Sequence, residues 1–178
     1  MERVISRLAV VLLALVAIVG CGKGSQTNRL ARGATKGLIV PQQSIDKLKL
    51  GMTPAAVRQV FGKPDAVQQA SESETGKPID DWLYRRRGLT AEFRQVTNGR
   101  FSLAGVFTTS PQERSASGAG VGRTERQLKA ALTGLDCGPG DPGERWCTVG
   151  GNTPDARQTV FFLRSGRVTE VRVLITYS

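Results

Sequence analysis

Residues 50–61 and 121–132 carry the same pattern twice, and a recurring helix start constrains a chain more than any single motif does. Gly51 matches Gly122, Thr53 matches Thr124, and the apolar residues Val57, Val60 and Phe61 match Leu128, Ala131 and Leu132. In each copy the threonine can accept from the first free amides of a helix. Pro54 then stands at the first helical position of one copy, and Gln127 completes a capping box in the other. Apolar residues at i, i+3 and i+4 place one greasy stripe on each short helix, so each must pack on something.

Downstream of each helix the spacing predicts a short strand beginning at a tryptophan, Trp82 to Tyr84 and Trp146 to Thr148, and then a hairpin. The first hairpin runs from Leu89 to Val96, turns at Asn98-Gly99 and returns from Arg100 to Thr108; Asn-Gly is the strongest short hairpin signal. The second runs from Thr159 to Leu163, turns at Ser165-Gly166 and returns from Arg167 to Tyr177, with Val171, Val173, Ile175 and Tyr177 alternating against Arg172, Leu174 and Thr176. Trp82 and Trp146, at matching places, are expected in the core. Ser71 to Pro78 and Ser110 to Gly120 have the composition of loops. The expected fold is α+β, with two tandem repeats at residues 41–110 and 120–178. Each is expected to be a short helical segment packed on a small antiparallel β-sheet, with the two sheets either separate or joined into one.

The N-terminus is of another kind. Arg3 and Arg7 precede an uncharged run from Leu8 to Gly20, shorter than the roughly 20 apolar residues of a permanent transmembrane helix. Ile18-Val19-Gly20-Cys21 resembles the lipobox of bacterial lipoproteins, which implies a signal peptide over residues 1–20 and lipid attachment at Cys21. Residues 21–40 then read as the lipidated Cys and a flexible tether, with Lys23, Arg29, Arg32 and Lys36 and no acidic residue. The whole chain carries +10. Loss of Glu2, Arg3 and Arg7 leaves about +9, which outside the cytoplasm favours anionic lipids, envelope polymers or acidic protein surfaces over nucleic acid. Gly22 after the Cys is not the Asp that often retains such lipoproteins at an inner membrane. The outer membrane, periplasmic face, is therefore expected in a two-membrane host, and the outer face of the plasma membrane otherwise.

With Cys21 committed to lipid, Cys137 and Cys147 are read as a disulfide closing a loop of Gly138-Pro139-Gly140-Asp141-Pro142-Gly143. A two-Cys metal site is the alternative, but the chain has no histidine and no further thiol to complete it.

Gly51-Met52-Thr53 with Val57, then Val60-Phe61-Gly62-Lys63-Pro64-Asp65, Trp82 to Tyr84 and the hairpin at Asn98-Gly99 resemble the SmpA/OmlA family of small bacterial lipoproteins. The resemblance covers residues 44–108, and residues 120–178 as a second, degenerate copy. It implies a role for a protein partner in the envelope, as in the family's subunit of the β-barrel assembly machinery, and a fold like half of the tandem-repeat β-lactamase inhibitory proteins.

Catalysis, cofactors and metals find no motif. Without histidine there is no Ser-His or Cys-His pair, and neither a nucleophile elbow nor a phosphate-cradling glycine loop is present. Asp80 and Asp81, adjacent on an extended segment, point to opposite faces. Asp136, Asp141 and Glu144 fit no calcium loop and are read as turn residues. Arg85-Arg86-Arg87 are the candidate contact for an anion or a partner, with Arg94 and Arg100 near them in the hairpin, against the plainer reading of a solvated basic turn. The functional expectation is a non-enzymatic, membrane-anchored scaffold or accessory subunit that binds an envelope protein. The alternative is a sensor or carrier domain for a small acidic ligand or an envelope polymer.

Overall fold

A computed structural model describes residues 37–73, 75–96 and 99–176. Cys21, the signal peptide and the tether up to residue 36 lie outside the described residues, as do Asn98 and Tyr177.

Twelve strands and two short α-helices make up the described chain. Strands β1 (Leu38–Val40), β2 (Ser44–Ile45) and β3 (Leu48–Lys49) lead into helix α1 (Pro54–Phe61). Then come β4 (Ala66–Ser71), β5 (Pro78–Tyr84), a 3-10 turn (Arg85–Arg87), β6 (Leu89–Gln95), β7 (Phe101–Thr108) and β8 (Arg114–Ser115). Helix α2 (Glu125–Ala131) is followed by β9 (Asp136–Pro139), β10 (Glu144–Gly150), β11 (Arg157–Arg164) and β12 (Arg167–Ile175).

Both helix starts form as their sequences dictate. Thr53 accepts from the Ala56 amide at 3.2 Å, and Thr124 and Gln127 close a reciprocal capping box at 3.3 and 3.0 Å. Gly51 and Gly122 turn the chain ahead of each helix at φ 89° and 86°, a region that favours glycine. Each then ties into the sheet, Gly51 donating to the Leu103 carbonyl and Gly122 to that of Val168.

The expected architecture needs correction. The α+β reading of two repeats, each a helix packed on a sheet, does not hold: the described residues are mostly strand, with two short α-helices. Eight strands form one sheet in the order β4-β5-β6-β7-β12-β11-β10-β9, and β3-β2-β1-β8 form a second, smaller sheet. The join is antiparallel pairing of Gly105–Thr108 with Val171–Leu174. Its physical cause is the edge problem: β7 and β12, each left with an unpaired ladder by its own hairpin, satisfy one another. Leu38–Val40, at the end of the stretch read as tether, and Arg114–Ser115, inside the stretch read as a loop, are paired strands of the smaller sheet.

One face of the large sheet holds the core. Phe93, Leu103, Val106, Phe161, Val171 and Val173 on that face are fully buried, together with Ile39, Ile45 and Leu48 from the small sheet. Val57 and Leu128 are the buried residues of α1 and α2. Phe61 and Leu132, the last residues of the two stripes, only flank this core. A helix of two turns touches the sheet through its middle, so the last position sits at the rim. Among the described residues no helix is long and apolar enough to cross a membrane.

Candidate functional site

The other face of the eight-stranded sheet carries no helix or second sheet among the described residues, and its side chains are partly exposed. Alternation along each strand decides what reaches it. On β12, Val171 and Val173 face the core, so Glu170, Arg172 and Leu174 face outward. Arg172 lies opposite Phe107 of β7 and Val160 of β11. Phe162 lies opposite Glu170, and Trp146 of β10 opposite Phe162.

Pairing thus assembles a row of Phe107, Arg172, Phe162 and Trp146 across four adjacent strands. The Arg172 guanidinium lies 4.9 Å from the Phe107 ring centre and 4.5 Å from that of Phe162, within cation–π reach of both. Glu170 binds the Arg172 Nε and fixes its orientation. Two glycines make room for the outer rings. A Cβ on Gly138 would come within 2.6 Å of the Trp146 ring, and one on Gly105 within 2.8 Å of Phe107. Shallow hollows of about 320 and 290 Å³ flank the row, both lined by Glu170 and Arg172.

Toward the β4 edge the same face becomes acidic. Asp81 and Glu92 stand directly opposite each other on β5 and β6, an arrangement of like charges that costs stability. Asp81 Oδ1 is buried without a hydrogen bond. Burial first, and the Glu92 carboxylate second, push the Asp81 carboxyl above the usual range. Glu92 instead accepts from Arg94 at 2.7 Å, and Arg94 also reaches Glu72 at 2.5 Å.

Cys137 and Cys147 form the disulfide, directly opposite each other on β9 and β10 with Cα atoms 4.0 Å apart. The Glu125 carboxylate lies within 4.8 Å of both sulfurs. With the sulfurs bonded to one another there is no thiolate there to ligate a metal, and Glu125 is engaged by Lys129 and Arg145. Asp136 opens β9 and Asp141 turns the chain toward Glu144, which pairs with Arg164. Asp80 takes a hydrogen bond from Gln69 at 3.2 Å, on the opposite face from Asp81.

Arg85, Arg86 and Arg87 are the 3-10 turn between β5 and β6. The Arg85 amide donates to Asp65 at 2.8 Å. Arg87 lies over the Phe61 ring at 4.5 Å and 3.6 Å from Asp46. Arg86 makes no ion pair among the described residues. The expected neighbourhood with Arg94 and Arg100 does not form: the register sets Arg94 opposite Ile79, at the far end of β5 from Arg85.

The matched tryptophans also part company. Trp82 is 4% exposed in the core, its ring tilted against that of Phe93 at 4.6 Å, whereas Trp146 faces outward because Cys147 takes the inward slot opposite Phe161. A shift of one residue along a strand exchanges the faces. Phe107, Phe162, Arg172 and Trp146 were not singled out by sequence as a surface. Only the outward phase of Arg172 in β12 hinted at it.

No family model matches this chain, and no curated protein does. Among solved structures, a crystal structure described as a "putative beta-lactamase inhibitor protein" from Streptococcus mutans is similar at 11% identity and a TM-score of 0.28. The match covers 84% of this chain and 96% of that one. It is a distant likeness.

Proposed function

We propose that the mature chain is a non-enzymatic envelope lipoprotein, tethered by lipid on Cys21, that binds another protein as a scaffold or accessory subunit. The observation that carries the reading is the outward face of the large sheet, with Arg172 held between Phe107 and Phe162 and Trp146 alongside. Aromatic residues and arginine dominate the energetic centres of protein interfaces, the aromatic ones because they bury much surface with few rotatable bonds. Here the arginine is already stacked and bonded to Glu170, so little side-chain freedom remains to be lost on docking. The absence of histidine and the openness of this face favour binding over catalysis.

The finer reading is membership of the SmpA/OmlA type, with a part in outer-membrane or envelope assembly. It rests on Gly51-Met52-Thr53, the Gly62-Lys63-Pro64 segment and the lipobox residues Ile18 to Cys21. The localisation proposed with it is the periplasmic face of the outer membrane in a two-membrane host and the outer face of the plasma membrane in a single-membrane one.

The test is co-purification from crosslinked membranes, comparing the native chain with a Phe162→Ala, Arg172→Ala double variant. One stoichiometric partner should accompany the native chain and be lost from the variant while its unfolding midpoint is kept. Absence of a partner, or its full retention by the variant, sinks the reading. Cys21→Ser should leave an unprocessed precursor by intact mass, and a shortened, lipidated product would remove the anchor from the proposal.

A further inference from the structure

A separate hollow of about 650 Å³ lies where the Arg85–Arg87 turn meets the β2–β3 turn and the segment leading to β8. That volume is in the range of small-molecule sites. Four charged side chains line it: Asp46, Arg86, Arg87 and Glu113.

Both carboxylates are buried, and Asp46 has an oxygen without a partner. The Asp46 side chain is 4% exposed, its nearest cation is Arg87 at 3.6 Å, and its Oδ1 has no hydrogen bond. Glu113 is 7% exposed; its carboxylate accepts the Thr108 hydroxyl at 3.2 Å, and its main-chain carbonyl accepts from the Arg114 guanidinium at 3.1 Å. No close ion pair among the described residues engages that carboxylate, although the neighbouring Arg114 guanidinium interacts with it electrostatically. Burying carboxylates with so little compensation is costly, and a donor brought from outside would relieve it. Arg86 is exposed and pairs with no carboxylate among the described residues. The lining is therefore balanced in charge, with a solvent-exposed cation beside two buried anions, one of which, Asp46, has an oxygen without a partner. A bare cation or a bare anion can satisfy only one kind of partner there.

We propose that this hollow binds a small zwitterion, with an ammonium group next to a carboxylate as in a free amino acid. The ammonium has three donors and lies between Asp46 and Glu113, and the carboxylate takes the planar fork of Arg86. Arg87, already leaning on the Phe61 ring and about half exposed, turns aside to admit it. The site is distinct from the aromatic row and shares only Gly88 with the nearer of the hollows beside that row.

Titration calorimetry of the mature chain against each common amino acid in turn tests the proposal. At least one should bind, and its deaminated and decarboxylated analogues should each bind at least about tenfold more weakly. Arg86→Ala and Glu113→Gln should weaken it by a similar factor, and Arg100→Ala should not. Arg86 is exposed, so its variant should keep the native unfolding midpoint and remain informative if Glu113→Gln does not fold. Lack of binding by every amino acid at 10 mM, equal binding of the analogues, or full binding by Arg86→Ala overturns the proposal.

Discussion

Replacing Leu128 by Ala asks whether α2 is held to the sheet by a single side chain. Seven residues cannot sustain a helix alone in water, so what keeps α2 in place is its capping box and its packing on the core, chiefly that of Leu128, which is fully inaccessible, with Ala131 partly buried beside it. Removing the outer atoms of a fully buried leucine forfeits their transfer free energy and leaves a cavity. The measured range for such changes is about 2.7–5.0 kcal/mol, and complete burial here puts the expected loss at about 3 kcal/mol or more. Lys129→Ala is the matched control. Its side chain is 55% exposed and pairs with Glu125 one turn earlier, an arrangement worth about 0.3–0.5 kcal/mol. Leu132→Ala should fall between the two, since Leu132 is only partly buried against the core. Urea denaturation of the mature chain measures all three with the slope of the transition held in common. A Leu128→Ala loss no larger than that of Lys129→Ala would refute the anchoring argument.

Reducing the Cys137–Cys147 bridge should lower stability by roughly 3 kcal/mol on chain-entropy grounds, given a sequence separation of 10; an unfolding midpoint unmoved by dithiothreitol would contradict this. Asp81→Asn should stabilise the protein at neutral pH by something under about 1 kcal/mol, discounted because the group is only half buried. A carboxyl whose folded pKa is raised binds its proton more tightly folded than unfolded, so its destabilising effect appears as pH rises from the ordinary carboxylate value through the raised one. The gain should accordingly vanish by pH 3, and a gain that persists there would assign it to something other than this charge.

What was legible in the sequence was local. Thr53, Pro54, Thr124 and Gln127 announce both helix starts because a cap is a contact between near neighbours. Ser165-Gly166 likewise fixes a hairpin whose two residues take φ 52° and 74°. The strands that escaped notice lack an apolar alternation. Residues 66–71 form an exposed edge strand of Ala, Val, Gln and Ser, and residues 136–139 read as a turn because of Gly138 and Pro139. They are strand through pairing with β10 and the disulfide. Segments of two or three residues such as β2 and β8 are too short to show any period. The join of β7 to β12 is non-local, and no neighbour of Thr108 or Val171 in sequence could disclose it.

The two tryptophans show why the open face was harder still to read. The matched segments agree where folding makes the same local demand of both, at the turn glycine, the cap and one buried helix residue. Beyond the helix they are free to differ. A displacement of one position puts Trp82 in the core and leaves Trp146 on the outward face, with Cys147 inward to reach Cys137. Phe107, Trp146, Phe162 and Arg172 come from four strands and meet only through pairing registers, so no window of sequence contains the surface they make. A binding function placed there depends on those registers as much as on the residues. Shifting β12 by one residue would turn Arg172 into the core and Val171 and Val173 outward, destroying the row and the core together. Fold and candidate interface therefore stand on the same pairing of β7 with β12. The Phe162→Ala, Arg172→Ala variant is informative because it removes the row without asking the sheet to move.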